Sequence, residues 1–344
     1  MFTRIFILSV IILTSACSTS SIKSVNDFSP KNMQKSNVMP SESELENRPF
    51  KVVVFDFDDG ANKLAKRSQV GKSLASELVA QIGKANTVYI DQSGLSGLKD
   101  VMKNKTDASY DHKVADFAVI GSINVATHSK KYNKAKVYKN KDANSYPKKD
   151  VKTKVEKPTC THSALVQGSV NVYEVKSKNL IKTVSLSGGS YRTTDINRRY
   201  SRSCNTLSKA EISAMLRSAA SKAVKREDVV LQNLFRANGY VLERRSNGKS
   251  SIFKVSIGQK NGLEQGLKAE FFASDNSKHP LTGAIYKEQH KVTEGTVTNK
   301  IQDTNAWVIV DNEEHASQVR LGDMVKVSYE KSFLGKIFNR SYSQ

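Results

Sequence analysis

The chain has 344 residues, 38% of them hydrophobic and 25% charged, with 54 Lys+Arg against 33 Asp+Glu and a formal charge of +21. No stretch approaches the roughly 20 consecutive apolar residues a transmembrane helix needs, which excludes an integral helical membrane protein. In a cytoplasmic protein so large a basic excess would suggest nucleic acid, but the N-terminus points elsewhere.

Arg4 precedes the apolar run Ile5 to Leu13 and then the small residues Thr14, Ser15 and Ala16 ahead of Cys17. One positive charge, a short apolar run and small residues make a signal peptide. A cysteine straight after them resembles the lipobox of bacterial lipoproteins, in which that thiol is acylated and becomes residue one. Thr14 stands where the family usually has Leu. Residues 1–16 are therefore expected to be a lipoprotein signal peptide and Cys17 the lipidation site. Ser18, rather than an aspartate, favours the periplasmic face of the outer membrane over the inner membrane. There the available polyanions are lipid headgroups, lipopolysaccharide phosphates, the cell-wall polymer and acidic proteins, so the charge predicts anionic envelope partners and no nucleic acid.

Export also sets the redox compartment. Cys160 and Cys204 would meet an oxidising periplasm, where a disulfide is the expectation. An alternative uses Cys160, His162 and Cys204 as metal ligands, although Cys-Thr-His supplies too few spaced ligands for a zinc signature. No metal and no cofactor are expected.

Residues 17–49 are rich in Ser, Asn, Lys and Pro with hardly any apolar spacing, which predicts a flexible tether. Order is expected from Lys51, where Val52-Val53-Val54-Phe55-Asp56-Phe57 reads as a strand buried on both faces. Val70, Leu74, Leu78 and Ile82 recur every four residues, predicting a helix from Ser68 to Ile82 that Gly83 ends. A short strand, Thr87 to Asp91, a Gly-punctuated stretch leading into a second helix, and a strand at Phe117 to Val125 follow. This alternation predicts an α/β fold with a mixed sheet and flanking helices.

Residues 129–158 carry eleven lysines against Asp142, Asp150 and Glu156, and read as a solvated basic insertion. Lys130, Lys131, Lys134, Lys136, Lys139, Lys141, Lys148, Lys149, Lys152 and Lys154 are the candidate contacts to an anionic partner; a simply solvated loop is the alternative. Val166, Val170 and Val172, then Leu180, Val184 and Leu186, alternate with polar residues on either side of Lys176 to Asn179, predicting a hairpin. An Arg-rich loop, Thr193 to Thr206, leads to the longest helix. It opens with the capping box of Ser208 and Glu211, and its apolar face of Ile212, Leu216, Ala219 and Ala223 persists through Leu234 until Asn238-Gly239. Short alternating strands at Ile252 to Ile257, Ala269 to Ala273, Ala306 to Val310 and Met324 to Val327 then predict a small all-β, SH3-like barrel over 238–329. The tail, 330–344, is basic and amphipathic, suited to a frayed terminus or a membrane-surface contact.

Two motifs imitate catalysis. Gly71-Lys72-Ser73 looks like the end of a phosphate-binding P-loop, but Lys66 stands where that loop needs a glycine. Asp56-Phe57-Asp58 at a strand end is similar to the Asp-x-Asp of haloacid dehalogenase phosphatases, but Asp59-Gly60 follows where that family has Gly or Thr and then Thr or Val. A solvated turn accounts for it equally well. No Ser/His/Asp or Cys/His constellation stands out among six histidines, and no enzyme is expected.

Lys51-Val-Val-Val-Phe-Asp-Phe57, the helix from Val70 to Ile82, the strand Thr87 to Asp91 and Ala115-Asp-Phe-Ala-Val-Ile-Gly-Ser-Ile123 resemble the CsgG family of envelope lipoproteins. With the later hairpin and long helix, the resemblance covers about residues 50–237. The segments Gly262-Leu-Glu-Gln-Gly266 and Leu321-Gly-Asp-Met-Val325 are similar to the C-terminal domain of the flagellar protein FlgT. The resemblance implies a non-enzymatic, outer-membrane-anchored assembly or scaffolding accessory of a flagellar ring or secretion apparatus, acting with envelope assembly proteins and possible as a homo-oligomer. Alternatives are a curli-type secretion channel and a cell-wall synthase activator. A curli-type channel needs two lipid-facing hairpins, whose places here are 129–158 and 193–206. Lysines fill the first and Arg198, Arg199 and Arg202 the second, and a basic residue on a barrel's lipid face costs about 2–4 kcal/mol at the midplane. A platform is expected rather than a pore.

Overall fold

The computed structural model describes residues 21–46, 48–85, 87–104, 114–139, 153–196 and 203–329. Cys17, the tail over 330–344 and Arg198, Arg199 and Arg202 lie outside them. The chain forms two units: residues 48–237 with Tyr329, and residues 238–328 joined by the N-terminal segment before residue 48.

That N-terminal segment is where structure and sequence expectation differ most. Expected as a free tether, it contains a strand, β1 (Ser29–Lys31), and a helical turn, α1 (Glu42–Leu45), whose N-terminus is closed by a Ser41–Glu44 capping box. Ser29, Pro30 and Lys31 pair antiparallel with Ser246, Arg245 and Arg244. Ile22 and Phe28 are buried against Ile252, with Val25, Trp307 and Ile309 packed around them. The Ser36 N–H donates to the Leu321 carbonyl at 2.8 Å, and the Leu321 N–H to that of Gln34. Composition misleads because the segment has few apolar residues. Ile22, Val25 and Phe28, however, are spaced to meet one apolar stripe, and each fully buried side chain of this size stabilises by about 1.5–3 kcal/mol.

In the α/β unit the elements run β2 (Phe50–Val54), α2 (Lys63–Ser68), α3 (Val70–Ile82), β3 (Thr87–Ile90), α4 (Ser96–Asn104), β4 (Phe117–Asn133), β5 (Lys136–Lys139), β6 (Thr153–Glu156), β7 (Thr159–Glu174), β8 (Leu180–Asp195), α5 (Lys209–Arg226) and α6 (Asp228–Leu234). The sheet order is β3-β2-β4-β7-β8, with β2 parallel to β3 and β4, and β4, β7 and β8 antiparallel. The uninterrupted run from Val52 to Phe55 is explained by cover on both faces. Val52 and Val54 join Leu74, Leu78, Leu216 and Phe235 under the helices α3, α5 and α6. Val53 and Phe55 face the other way, onto Leu98, Val101 and Met102 of α4.

Three details depart from the periodicity. The helix expected from Ser68 to Ile82 breaks at Gln69, a non-glycine residue in the left-handed region (φ 54°), so α3 starts at Val70. The longest helix ends at Arg226, and Glu227 (φ −103°, ψ 13°) turns the chain into α6. The basic stretch is not a separate insertion at its root. Ser129 to Asn133 stay in β4, paired with Thr159 to Ser163 of β7, and β5 and β6 form a further two-stranded ribbon. Likewise Thr193 to Asp195, expected in the Arg-rich loop, belong to β8. Lysine hides strand character because its aliphatic stem tolerates a strand while its charge stays in water.

The second unit is a closed antiparallel barrel: β9 (Asn238–Ser246), β10 (Ser251–Val255), β11 (Lys268–Lys278), β12 (Ile285–Ile301), β13 (Ala306–Val310), α7 (Glu313–Ser317) and β14 (Met324–Ser328). The order β9-β10-β13-β12-β11-β14 closes through β14 and β9, giving six strands. Phe253 and Phe271 pack with ring centroids 5.1 Å apart and planes tilted by 55°, and are fully buried with Val241, Val255, Val297, Val308 and Val325. Alternation sends Ile252, Trp307 and Ile309 outward, which makes the stripe that the N-terminal segment covers. A half-buried ion pair, Arg244 Nη2 to Glu313 Oε1 at 2.7 Å, is completed by the Ser246 and Ser251 hydroxyls donating to Glu313.

Candidate functional site

The far end of the β4–β7–β8 sheet is braced covalently. Cys160 of β7 is bonded to Cys204, ahead of α5, across a Cα–Cα distance of 5.5 Å. Both sulfurs are therefore committed to each other, so the alternative that made them metal ligands with His162 loses two of its three donors. Lys130 Nζ donates to the Cys204 carbonyl (3.4 Å) and to the Thr206 hydroxyl (3.3 Å), tying β4 to the same segment. Among the described residues, no group of three or more His, Cys, Asp or Glu side chains is placed to hold a metal.

Beneath this brace His128 and His162 stack, with ring centroids 5.6 Å apart and planes within 9°. His162 is fully buried and neither of its ring nitrogens has a partner among the described residues. Burial, then the nearby Lys130 and Arg192 cations, hold its imidazole below the ordinary range against a weaker pull from Glu211. His128 is lowered by burial and by His162 and Lys130. Arg192 Nη1 contacts Glu211 Oε1 at 2.9 Å, and Ser208 and Glu211 complete the capping box at the start of α5.

The described lysines among those singled out by sequence are spread over several places. Lys130 and Lys131 are exposed and point to opposite faces of β4 by strand alternation. Lys134 and Lys136, with Lys157, Glu156 and Asp195, line an open depression of about 500 Å³ of mixed charge. Lys139 and Lys154 lie on β5 and β6, and Lys141, Lys148, Lys149 and Lys152 fall outside the described residues.

A groove that the sequence reading missed lies between the outermost strand and α5. It has a volume of about 540 Å³ and is lined by Ser163 to Leu165 of β7, Ser187 to Tyr191 of β8, and Lys222, Lys225 and Arg226 of α5. Tyr191 is 61% exposed and Leu165 38%, so its apolar part faces water. Lys222 Nζ stands 5.8 Å above the Tyr191 ring, and Lys225 Nζ is 3.8 Å from Glu77 Oε2. Burial raises the Glu77 carboxyl, but the Ser221 hydroxyl, Gln81 and the Lys225 and Lys84 ammonium groups outweigh it and leave it below the usual range. The only hint in the sequence was Gly188-Gly189 inside a strand, a pair that marks close backbone approach. A Cβ at Gly188 would overlap the Ala219 carbonyl of α5. No described strand pairs with the outer edge of β8, which offers backbone donors and acceptors beside this cationic rim.

The two catalytic look-alikes have structural work. The Asp58 carboxylate accepts the Gly60 N–H at 2.9 Å and lies 3.6 Å from Lys103 Nζ. Asp59 Oδ1 accepts the Gly71 N–H at 3.1 Å, placing a carboxylate at the start of α3 where a P-loop would hold phosphate. Gly71 itself is needed because a Cβ there would overlap the Phe57 carbonyl. Among the described residues no helix is long and apolar enough to cross a membrane.

No protein-family model and no curated protein matches the chain. Among solved structures, one named as a neuraminyllactose-binding hemagglutinin homolog from Helicobacter pylori aligns at 14% identity and a TM-score of 0.30, covering 58% of this chain and 88% of that one. A hypothetical protein from Chlamydia trachomatis aligns at 12% and 0.29, covering 53% and 98%. A minor lipoprotein from Acinetobacter baumannii aligns at 11% and 0.22, covering 54% and 96%. Likenesses of this size carry no inference about function.

Proposed function

We propose that this chain is a non-enzymatic lipoprotein of the bacterial outer membrane, held through Cys17, that recruits an acidic segment of an envelope assembly protein. The groove between β8 and α5 carries this reading. Lys222, Lys225 and Arg226 supply positive charge, Tyr191 and Leu165 supply exposed apolar surface, and the open edge of β8 supplies backbone partners for an extended peptide. Long arginine and lysine side chains beside an aromatic ring suit a partner that is acidic and partly apolar. The disulfide between Cys160 and Cys204 fits a chain exported to an oxidising compartment. A CsgG-like α/β domain followed by an SH3-like barrel is the family reading that goes with this role.

A platform is preferred to a curli-type channel. Where β4 runs beyond the sheet core, Thr127, Ser129, Lys131 and Asn133 alternate with His128, Lys130 and Tyr132, so neither side is an apolar stripe for lipid.

A photoreactive amino acid at position 191 in growing cells tests the proposal. One discrete cross-linked protein is expected, lost when Lys222 and Arg226 are changed to Glu in the same chain. An adduct indifferent to that charge reversal, or none at all, contradicts it.

A further inference from the structure

The N-terminal segment fixes how far the barrel stands from the anchor. Ile22 is buried in the barrel wall, and its N–H donates to Asn299 Oδ1 at 3.0 Å. Phe28, six residues on, is buried against the same wall, and β1 then pairs with β9. Between Cys17 and Ile22 there are five residue steps, at most about 18 Å of fully extended chain. A free tether over 17–49 would have reached about 110 Å.

We propose that the outer wall of the barrel around Ile22, formed by β10, β13 and the end of β12, rests against the lipid headgroups in which the Cys17 acyl chains are seated. The inference rests on the lipoprotein reading of Cys17. It goes further by making the barrel the membrane-apposed part and by denying the protein a long reach through its N-terminus. The wall's chemistry agrees. Lys23 beside Ile22 is exposed, Lys300 follows Asn299, and Lys254 pairs across the strands with Trp307, which the Arg245 guanidinium overlies at 5.6 Å. Asp27 and Glu243 lie on the same stretch, but Asp27 accepts the Ser24 N–H and Glu243 is paired with Arg245. A lysine near an anionic leaflet contributes about 1 kcal/mol, so the short leash and the basic surface act together.

Trp307 is the only tryptophan in the chain and sits on this wall, which makes it the probe. The full lipoprotein is reconstituted in phosphatidylethanolamine and phosphatidylglycerol vesicles that carry dansyl-labelled headgroups, and energy transfer from Trp307 is measured. Strong transfer is expected. Twenty Gly/Ser residues inserted after Ser20 add an average span of about 25 Å and should reduce the transfer several-fold while flotation with the vesicles persists. Weak transfer in the intact protein, or transfer unchanged by the insertion, overturns the inference. Intact protein that fails to float, like a Cys17→Ser control, shows instead that the anchor itself is wrong, and the inference falls with it.

Discussion

Gly188 of β8 and Ala219 of α5 approach so closely that a methyl group on the glycine would overlap the alanine's carbonyl oxygen. This contact sets the spacing between the outermost strand and the helix that carries Lys222, Lys225 and Arg226, and so sets the width of the groove. Gly188→Val should force the helix outward and cost about 1–3 kcal/mol, the usual range for overpacking. Urea unfolding measures it. A midpoint equal to the parent's would mean that the strand and helix are not held as described.

Phe28 distinguishes a packed N-terminal segment from a free tether. It is 6% exposed against Ile252, so Phe28→Ala should destabilise the barrel by about 3 kcal/mol. Removing an aromatic ring from a solvated tether would change nothing. Hydrogen exchange at Ser246, whose strand pairs with Ser29, should become faster in the same variant.

His162 gives a pH dependence with a definite sign. Burial and the Lys130 and Arg192 cations keep its folded-state pKa below the ordinary 6.5, with His128 beside it and Glu211 opposing. The unfolded chain therefore binds protons that the folded one does not, so this contribution to stability is present above pH 6.5 and is lost as the pH falls below it. Thermal melts from pH 7.5 to 5 should show a declining Tm, and His162→Leu should flatten that decline. An equally steep decline in the variant would assign the effect to other groups.

The bond between Cys160 and Cys204 joins residues 44 apart in sequence. Reduction should lower unfolding stability by about 2–4 kcal/mol. Coincident urea curves with and without reductant would contradict this.

The sequence showed most where burial writes a period. Val52 to Phe55, the Val170 and Leu186 alternation of the hairpin, and the Ser208–Glu211 cap were all visible, because each residue's partner lies on a regular element. It showed least where structure depends on a distant partner. Ile22 and Phe28 are isolated among polar residues, and their burial depends on the outward side of strands more than two hundred residues away. The strand character of Lys130 to Asn133 was masked by charge. The groove was illegible because Lys222, Lys225 and Arg226 look like any solvated helix face until β8 is placed beside them.

The proposed lipoprotein is anchored by the Cys17 acyl chains, touches the bilayer otherwise only where the barrel wall meets the headgroups, and keeps its recruiting groove in water. Replacing Cys17 by Ser and supplying an ordinary signal-peptidase site tests this most directly, by fractionation and gel filtration of the exported protein. A folded periplasmic protein that remains soluble without detergent is expected. A variant still extracted only by detergent would contradict it and favour membrane-inserted hairpins of the channel type.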